Sequence, residues 1–215
     1  VIERLVISLC DISGVWSQAY VDAGYTVVRV DLAYPVGAVQ AGERLWCVGK
    51  DLTQGYDVFW LPHYGFCGDP WAVLAAPCCA AFCRPGARWW PRMDSDGTTE
   101  RAIKLFRACF RICQKARGWW ALENPPGRQR KLMPEIPAPA WQFQPWQHGD
   151  PWVKQTYIWG TARKPEPTNI VATPPTVRMP SGHTSGTIAR MSSSWKRERE
   201  KTAPGFAKAF FEVNR

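Results

Sequence analysis

Three polar side chains stand at the ends of three apolar runs. Asp31 follows residues 26–30 (TVVRV), Cys79 comes just after residues 71–76 (WAVLAA), and Glu123 follows residues 119–122 (WWAL). Each run reads as a buried strand. In an open α/β sheet, ligands bind outside the carboxyl ends of the strands. One site would therefore hold a carboxylate, a thiol and a second carboxylate. A cysteine at a strand end beside an acid is a candidate covalent nucleophile. The plainer readings are an inert buried thiol for Cys79 and a turn with a solvated acid for Glu123-Asn124.

The elements that would position these groups can be read on either side of them. Residues 5–9 (LVISL) form a strand, residues 10–17 (CDISGVWS) a turn at Gly14, and residues 16–23 a short helix stopped at Gly24. With the strand at 26–30 and the acid that ends it, this is the shape of a Rossmann-like nucleotide site. Residues 45–48 and 57–61 are possible further strands. Residues 83–97 (CRPGARWWPRMDSDG) read as a long basic and aromatic loop. Residues 98–116 give the clearest helix: Ile103, Phe106, Phe110 and Cys113 recur at three- and four-residue spacing, with Lys104, Arg107, Arg111 and Lys115 on the other side. Another strand falls at 157–159, and residues 206–213 (FAKAFFEV) close the chain as a helix. No internal repeat is visible.

Composition bounds what these elements can serve. The chain has 215 residues, 46% hydrophobic and 21% charged, which suits one domain, or one domain with a small appendage, and excludes a disordered tail. No apolar run approaches the ~20 residues of a membrane span. Neither a basic n-region nor a long apolar stretch marks a secretory signal, so a cytoplasmic location is expected. The net charge of +9 favours a polyanionic partner, nucleic acid first; a merely soluble basic protein is the plainer alternative. Residues 161–215 hold 10 Lys and Arg against 4 Glu, which concentrates the positive charge at this end. The eight cysteines are expected to be free thiols, because neighbours such as Cys78 and Cys79 bond poorly and no leader directs export. Neither they nor His63, His148 and His183 show the spacing of a metal site, so none is expected.

Four segments carry a family resemblance. Residues 75–83 (AAPCCAAFC) resemble the G-G-P-P-C-Q-x-F-S motif of DNA cytosine-C5 methyltransferases, and Glu123-Asn124-Pro125 resembles their E-N-V motif. Residues 148–156 (HGDPWVKQT) resemble Y-G-x-P-Q-x-R-x-R, and residues 203–209 (APGFAKA) resemble A-V-P-P-x-x-A-x-A. Their order matches, and the whole is similar to the compact forms found in bacteriophage genomes. The resemblance implies an α/β, Rossmann-like S-adenosylmethionine-dependent methyltransferase fold: a mostly parallel sheet flanked by helices, with a very small target-recognition region. Residues 1–160 would be the catalytic core, 161–200 the target-recognition region, and 201–215 a helix completing the core. Double-stranded DNA would be the partner and a monomer the expected state.

It also implies a reaction. A flipped cytosine enters the pocket. The Cys79 thiolate adds to C6 while Glu123 holds N3 protonated, and C5 then takes the methyl group of S-adenosylmethionine. Lys154 would contact the base O2 or a nearby phosphate, and Asn124 would position the loop or the base. Cys10, Ile12, Gly14, Trp16 and Pro77 would border the cofactor, with Asp31 on the ribose hydroxyls. Asp57, 22 residues before Cys79, is favoured as the acid reading the adenine amine, with Asp51 as the alternative. Arg84, Arg88, Trp89, Arg178, Arg190 and Lys196 would meet DNA.

Three positions depart from the family pattern. Ile12 stands where a glycine is usual, Cys78 replaces a proline, and Thr156 replaces the second arginine of Q-x-R-x-R. The Cys78-Cys79 doublet offers two thiols, and register with Phe82 and Cys83 favours Cys79 over Cys78 as the nucleophile. Two other readings remain beside the leading one: a methyltransferase acting on RNA or a modified base, and a DNA-binding relative without catalysis.

Overall fold

The computed structural model describes residues 4–54, 69–172 and 201–215, together with the backbone of two short strands, Thr176–Arg178 (β8) and Thr184–Gly186 (β9), which pair antiparallel. Seven strands form the main sheet, in the order β3-β2-β1-β4-β5-β7-β6. They are β1 (Leu5–Leu9), β2 (Thr26–Gly42), β3 (Leu45–Gly49), β4 (Ala72–Ala75), β5 (Trp119–Asn124), β6 (Trp141–Phe143) and β7 (Thr156–Gly160). β1 pairs parallel with β2 and β4, and β4 with β5, whereas β7 is antiparallel to both β5 and β6. The parallel strands are buried apolar runs, as strands covered on both faces must be.

Alternation along the strands divides the core in two. Ile7, Leu9, Val28, Val30, Val73, Leu122 and Trp159 face the helix α3 (Thr98–Cys113), which contributes Phe106, Cys109, Ile112 and Cys113. Val6, Val27, Leu74, Ala121 and Ile158 face the opposite layer, where α1 (Gln18–Asp22) and the C-terminal helix α5 (Pro204–Asn214) lie. There Phe206 stacks on Phe143 with ring centroids 3.6 Å apart. Lys104, Arg107, Arg111 and Lys115 fall on the exposed side of α3 or just after it, as its periodicity predicts.

Three features differ from the sequence reading. Residues 83–97 are not a loop. They form a 3-10 turn (Arg84–Trp89) and the helix α2 (Trp90–Ser95), each with a proline in its first turn, where the missing N–H costs no hydrogen bond. β5 runs through Glu123 and Asn124, which are therefore strand residues with fixed directions, not members of a turn. β2 is far longer than residues 26–30. Its first half pairs parallel with β3, but beyond Asp31 the register reverses: Val36 meets Gly49, Ala38 meets Val48 and Gly42 meets Leu45. Partner numbers fall as the chain advances, so this half returns antiparallel and β3 lies between the two halves of β2. The crossover that a helix usually makes between parallel strands is made here in the plane of the sheet. Gly49 is required by this path, because a side chain there would strike the Pro35 carbonyl. The expected strand at 57–61 lies outside the described residues.

Candidate active site

The turn after β1 is built around Asp11, a buried carboxylate that sequence reasoning passed over. It accepts the hydroxyls of Ser8 (2.9 Å), Ser17 (2.8 Å) and Ser13 (3.2 Å) and the Ser17 N–H. The spacing of those serines around one acid is the signal that could have revealed it. Arg29, buried on β2, braces the turn by donating to the Ser17 hydroxyl, the Gly14 carbonyl and the Gln18 side chain. Gly14 has φ +67°, and its missing side chain would occupy the space of the Arg29 guanidinium, so glycine is needed twice over. Ile12 lies on the outer side of the turn, 52% exposed.

Of the residues expected at the cofactor, half-buried Cys10 packs against the core and Trp16 lies within it. The Cys10 thiol points 3.8 Å from the Cys109 sulfur on α3, and this contact, with burial, pushes it well up from its ordinary value. Trp16 is fully buried between the sheet and α5, edge-on to Phe210 at 5.5 Å, and presents no surface to a ligand. The C-terminal helix claims the indole, a contact nearly two hundred residues distant in sequence.

Asp31 ends the parallel half of β2, and its Oδ1 accepts the Ala33 N–H at 2.9 Å. Strand parity puts it on the α1 side of the sheet with Val27 and Arg29. Asp51 follows β3 and caps its own short turn, accepting the Thr53 N–H and hydroxyl and the Gln54 amide, which lower its pKa. Asp57 lies outside the described residues.

The second half of the site forms where β4 and β5 end side by side. Beyond β4 the chain passes Pro77 and exposed Cys78 and turns at Cys79, whose carbonyl accepts the Phe82 and Cys83 N–H groups. Glu123, 6% exposed, occupies the next-to-last position of β5. The Lys154 ammonium, just before β7, donates to Glu123 Oε1 at 3.2 Å and to the Lys201 carbonyl at 3.3 Å. Thr156, in the place of the family's second arginine, donates its hydroxyl to the Lys154 carbonyl at 2.9 Å. Asn124 points to the other face and ties β5 to the cysteine segment, donating to the Pro77 carbonyl at 2.8 Å and accepting from Gln129 at 2.8 Å.

The Cys79 thiol feels all of these groups. A hydrogen bond with Cys83 is the largest cause raising its pKa. Burial, the neighbouring Cys83 and the Glu123 carboxylate push it further up, and Lys154 pulls it down. The resting group is therefore a neutral thiol across the physiological range. Cys79, Glu123 and Lys154 are brought together, whereas Cys78 faces solvent.

Arg128 locks this arrangement, and no sequence signal pointed to it. Its backbone N–H and its Nε hold the Phe82 and Ala81 carbonyls. Its two terminal nitrogens bind Asp94 at 2.8 and 2.7 Å, Nη2 also reaches Thr99, and the guanidinium lies 4.5 Å over the Trp90 ring. The Arg128 hydrogen bonds hold the Asp94 carboxyl down at about 2. Next to it, Gly127 abuts the Phe82 carbonyl so closely that no side chain fits. The Cys79 and Glu123 segments are thus joined by backbone contact.

Arg84, Arg88 and Trp89 sit on the exposed 3-10 turn after the cysteines, with the Arg88 guanidinium 5.0 Å over the Trp89 ring. Arg178 belongs to β8, where only the backbone is described, and Arg190 and Lys196 lie outside the described residues. Among the described residues, no group of three or more His, Cys, Asp or Glu could hold a metal ion, the cysteines are free thiols, and no helix is long and apolar enough to cross a membrane.

No family model matches the chain, and no curated protein resembles it in sequence. Its fold is similar to solved structures. One is described as a DNA modification methyltransferase encoded within an E. coli prophage. It superposes with a TM-score of 0.52 at 14% identity over 79% of this chain, which spans 52% of that protein's length. Another, a mutant 16S rRNA (adenine(1408)-N(1))-methyltransferase from Catenulisporales acidiphilia, gives a TM-score of 0.37 at 12% identity, covering 74% of this chain and 84% of its own. The second likeness is too loose to carry an argument. The first, with the strand order above, shows a mixed α/β, Rossmann-like fold similar to that of the prophage protein.

Proposed function

We propose that the chain is an S-adenosylmethionine-dependent methyltransferase that modifies C5 of cytosine in double-stranded DNA through a covalent adduct at Cys79. The observation that carries this reading is the convergence of the Cys79 thiol, the Glu123 carboxylate and the Lys154 ammonium at the carboxyl ends of β4 and β5. The first half of the sheet fits the methyl donor by its donor set. Asp31 offers a carboxylate to two vicinal hydroxyls, and exposed Ile12 and Leu32 give an apolar border. Asp51, just after β3, would be the acid for the adenine amine among the described residues of this edge. When bound, the donor supplies an electrophilic methyl group on a sulfonium.

The chain's own groups do the rest. Glu123 relays the Cys79 thiol proton to N3 of the cytosine as the sulfur forms its bond to C6. The electrons of the C5–C6 double bond move to C5, which would take the methyl group as its bond to the donor sulfur breaks. Loss of the C5 proton to water would then restore the double bond and expel the Cys79 sulfur as a thiolate, which regains the N3 proton through Glu123. Lys154 holds Glu123 in place and offsets negative charge while the thiolate forms. Residues 161–200 and the Arg84–Trp89 turn would contact DNA, through a short recognition site given so few residues. The test is incubation with duplex DNA and labelled S-adenosylmethionine, then digestion and mass spectrometry of the nucleosides. Labelled 5-methylcytosine is the expected product. Label in RNA only, or none, refutes the assignment.

A further inference from the structure

A groove of about 430 Å³ opens beside the antiparallel end of the sheet, bordered by Arg84, Gln129, Arg130, Gln142, Tyr157 and Trp159. It is not the Cys79 pocket. Tyr157 is paired with Asn124, and Glu123 with Ile158. Directly opposed residues of antiparallel strands share a face, so the Tyr157 ring lies on the α3 side of the sheet and the Glu123 carboxylate on the other. Gln129 separates the two, spending its amide on the Asn124 side chain and the Pro125 carbonyl.

The lining has two kinds of chemistry. Arg84 and Arg130 are exposed, and neither is paired with a carboxylate among the described residues. Arg107 and Arg128, by contrast, are each held by an acid. Between them lie the half-buried Tyr157 ring, edge-on to Trp159 at 6.1 Å, and the Gln142 amide. Guanidinium groups suit phosphate oxygens, aromatic rings suit the π-face of any base, and an amide can meet a base edge. A purely apolar ligand would leave both cations unused, and an inorganic anion would leave the aromatic floor bare.

We propose that this groove binds one nucleotide unit, with its base against Tyr157 and its phosphate between Arg84 and Arg130. The inference rests on the nucleic-acid substrate of the reading above. The unit would come from a strand that crosses the Pro126–Gly127 rim from the catalytic pocket, because Gly127 is bridged to Cys83 and Arg84 follows directly. A free mononucleotide presents the same chemistry.

The test is fluorescence anisotropy with a fluorescein-labelled single-stranded 12-mer and the corresponding duplex, on the parent chain, Arg130→Ala, Tyr157→Leu and, as a control on the far side of the sheet, Lys208→Ala. Thermal melts confirm that each variant is folded. Arg130→Ala should weaken strand binding 5- to 20-fold and lower the salt slope by about 0.7–0.9. Tyr157→Leu should weaken binding similarly with the slope kept, and Lys208→Ala should stay within twofold. Competition by millimolar dCMP or dAMP that is lost in Arg130→Ala assigns the groove to mononucleotides; no competition assigns it to the strand. Binding by Arg130→Ala and Tyr157→Leu within twofold of the parent overturns the proposal. Methyl transfer is scored on the same samples: Arg130-dependent binding without transfer retains the groove and removes the enzyme reading, and transfer with Arg130-independent binding does the reverse.

Discussion

Removal of the Lys154 charge is the sharpest probe of the site. The Lys154–Glu123 pair is 3.2 Å long, with side chains only 13% and 8% exposed. At an effective dielectric of 20 the gross attraction at that distance is about 5 kcal/mol, and much of it offsets the desolvation of both ions. Lys154→Met keeps the length of the side chain and leaves a buried carboxylate without its cation, a loss of about 3–5 kcal/mol. For a chain of this size that corresponds to a fall of roughly 6–20 °C in the thermal midpoint. Lys154 also donates to the Lys201 carbonyl, so the single variant overcounts the pair. A double-mutant cycle with Glu123→Gln removes that part. The amide needs no counter-ion, so Lys154→Met should cost far less in the Glu123→Gln background, with a coupling of about 2 kcal/mol or more. Calorimetry or denaturant titration of the four proteins measures it. Additive losses, or a single-variant loss under about 0.5 kcal/mol, would show that the two groups are solvated and that Lys154 does not hold Glu123 for chemistry.

The same geometry sets further expectations. Cys79→Ala should reduce methyl transfer to background, whereas Cys78→Ala, at an exposed thiol, should leave the rate within threefold; the reverse pattern would transfer the nucleophile to Cys78. Because Cys83, burial and Glu123 all raise the Cys79 pKa, its thiolate is scarce below pH 9. Iodoacetamide should therefore modify Cys79 at least tenfold more slowly than Cys78 at pH 7.5, with the rate still rising above pH 9, as peptide mass spectrometry would read; preferential labelling of Cys79 at neutral pH would refute the arrangement. Arg128→Lys keeps the charge but not the fork that holds Asp94, Thr99 and Ala81 together. It should cost about 1–3 kcal/mol of stability and lower kcat more than it raises KM; an unchanged kcat would mean that the cysteine segment is rigid without it. Gly127→Ala drives a methyl group into the Phe82 carbonyl and should likewise depress kcat, and full activity would show that the two segments can separate without harm.

What the sequence made legible follows the range of the interactions involved. Asp31, Cys79 and Glu123 could be placed because each ends or follows an apolar run, and a parallel sheet brings such ends to one edge whatever the details of packing. The helix at 98–113 was visible for the same local reason. The return half of β2 was not, since residues 32–42 carry neither helical nor strict alternate periodicity, and their pairing with β3 is a choice made by the sheet edge. The family resemblance places Trp16 at the methyl donor; Phe206 and Phe210, from the far end of the chain, bury it instead. Arg128 was invisible because its partners come from residues 81–82, 94 and 99, and nothing in its immediate neighbours marks it. The arginine pair of the proposed groove is equally distributed, one on the turn after Cys83 and one on the helix Gln129–Leu132.

The charges around Cys79 explain why an acid and a thiol are useful together and not merely adjacent. In the resting site the Glu123 carboxylate opposes ionisation of Cys79, and Lys154 only partly compensates. In the proposed reaction, transfer of the Cys79 proton toward Glu123 and N3 would remove that opposing charge as the sulfur becomes negative, with Lys154 in place to stabilise it. Formation of the nucleophile is thereby coupled to the presence of a base that can share the proton. A solvent-exposed thiol such as Cys78 has no such coupling and would react with any electrophile that reached it. On this argument the buried carboxylate lowers the reactivity of the free site and raises it only for a ring with a basic nitrogen near the atom attacked. Selectivity for a base over adventitious electrophiles then comes from the same 3.2 Å ion pair that holds the carboxylate in position.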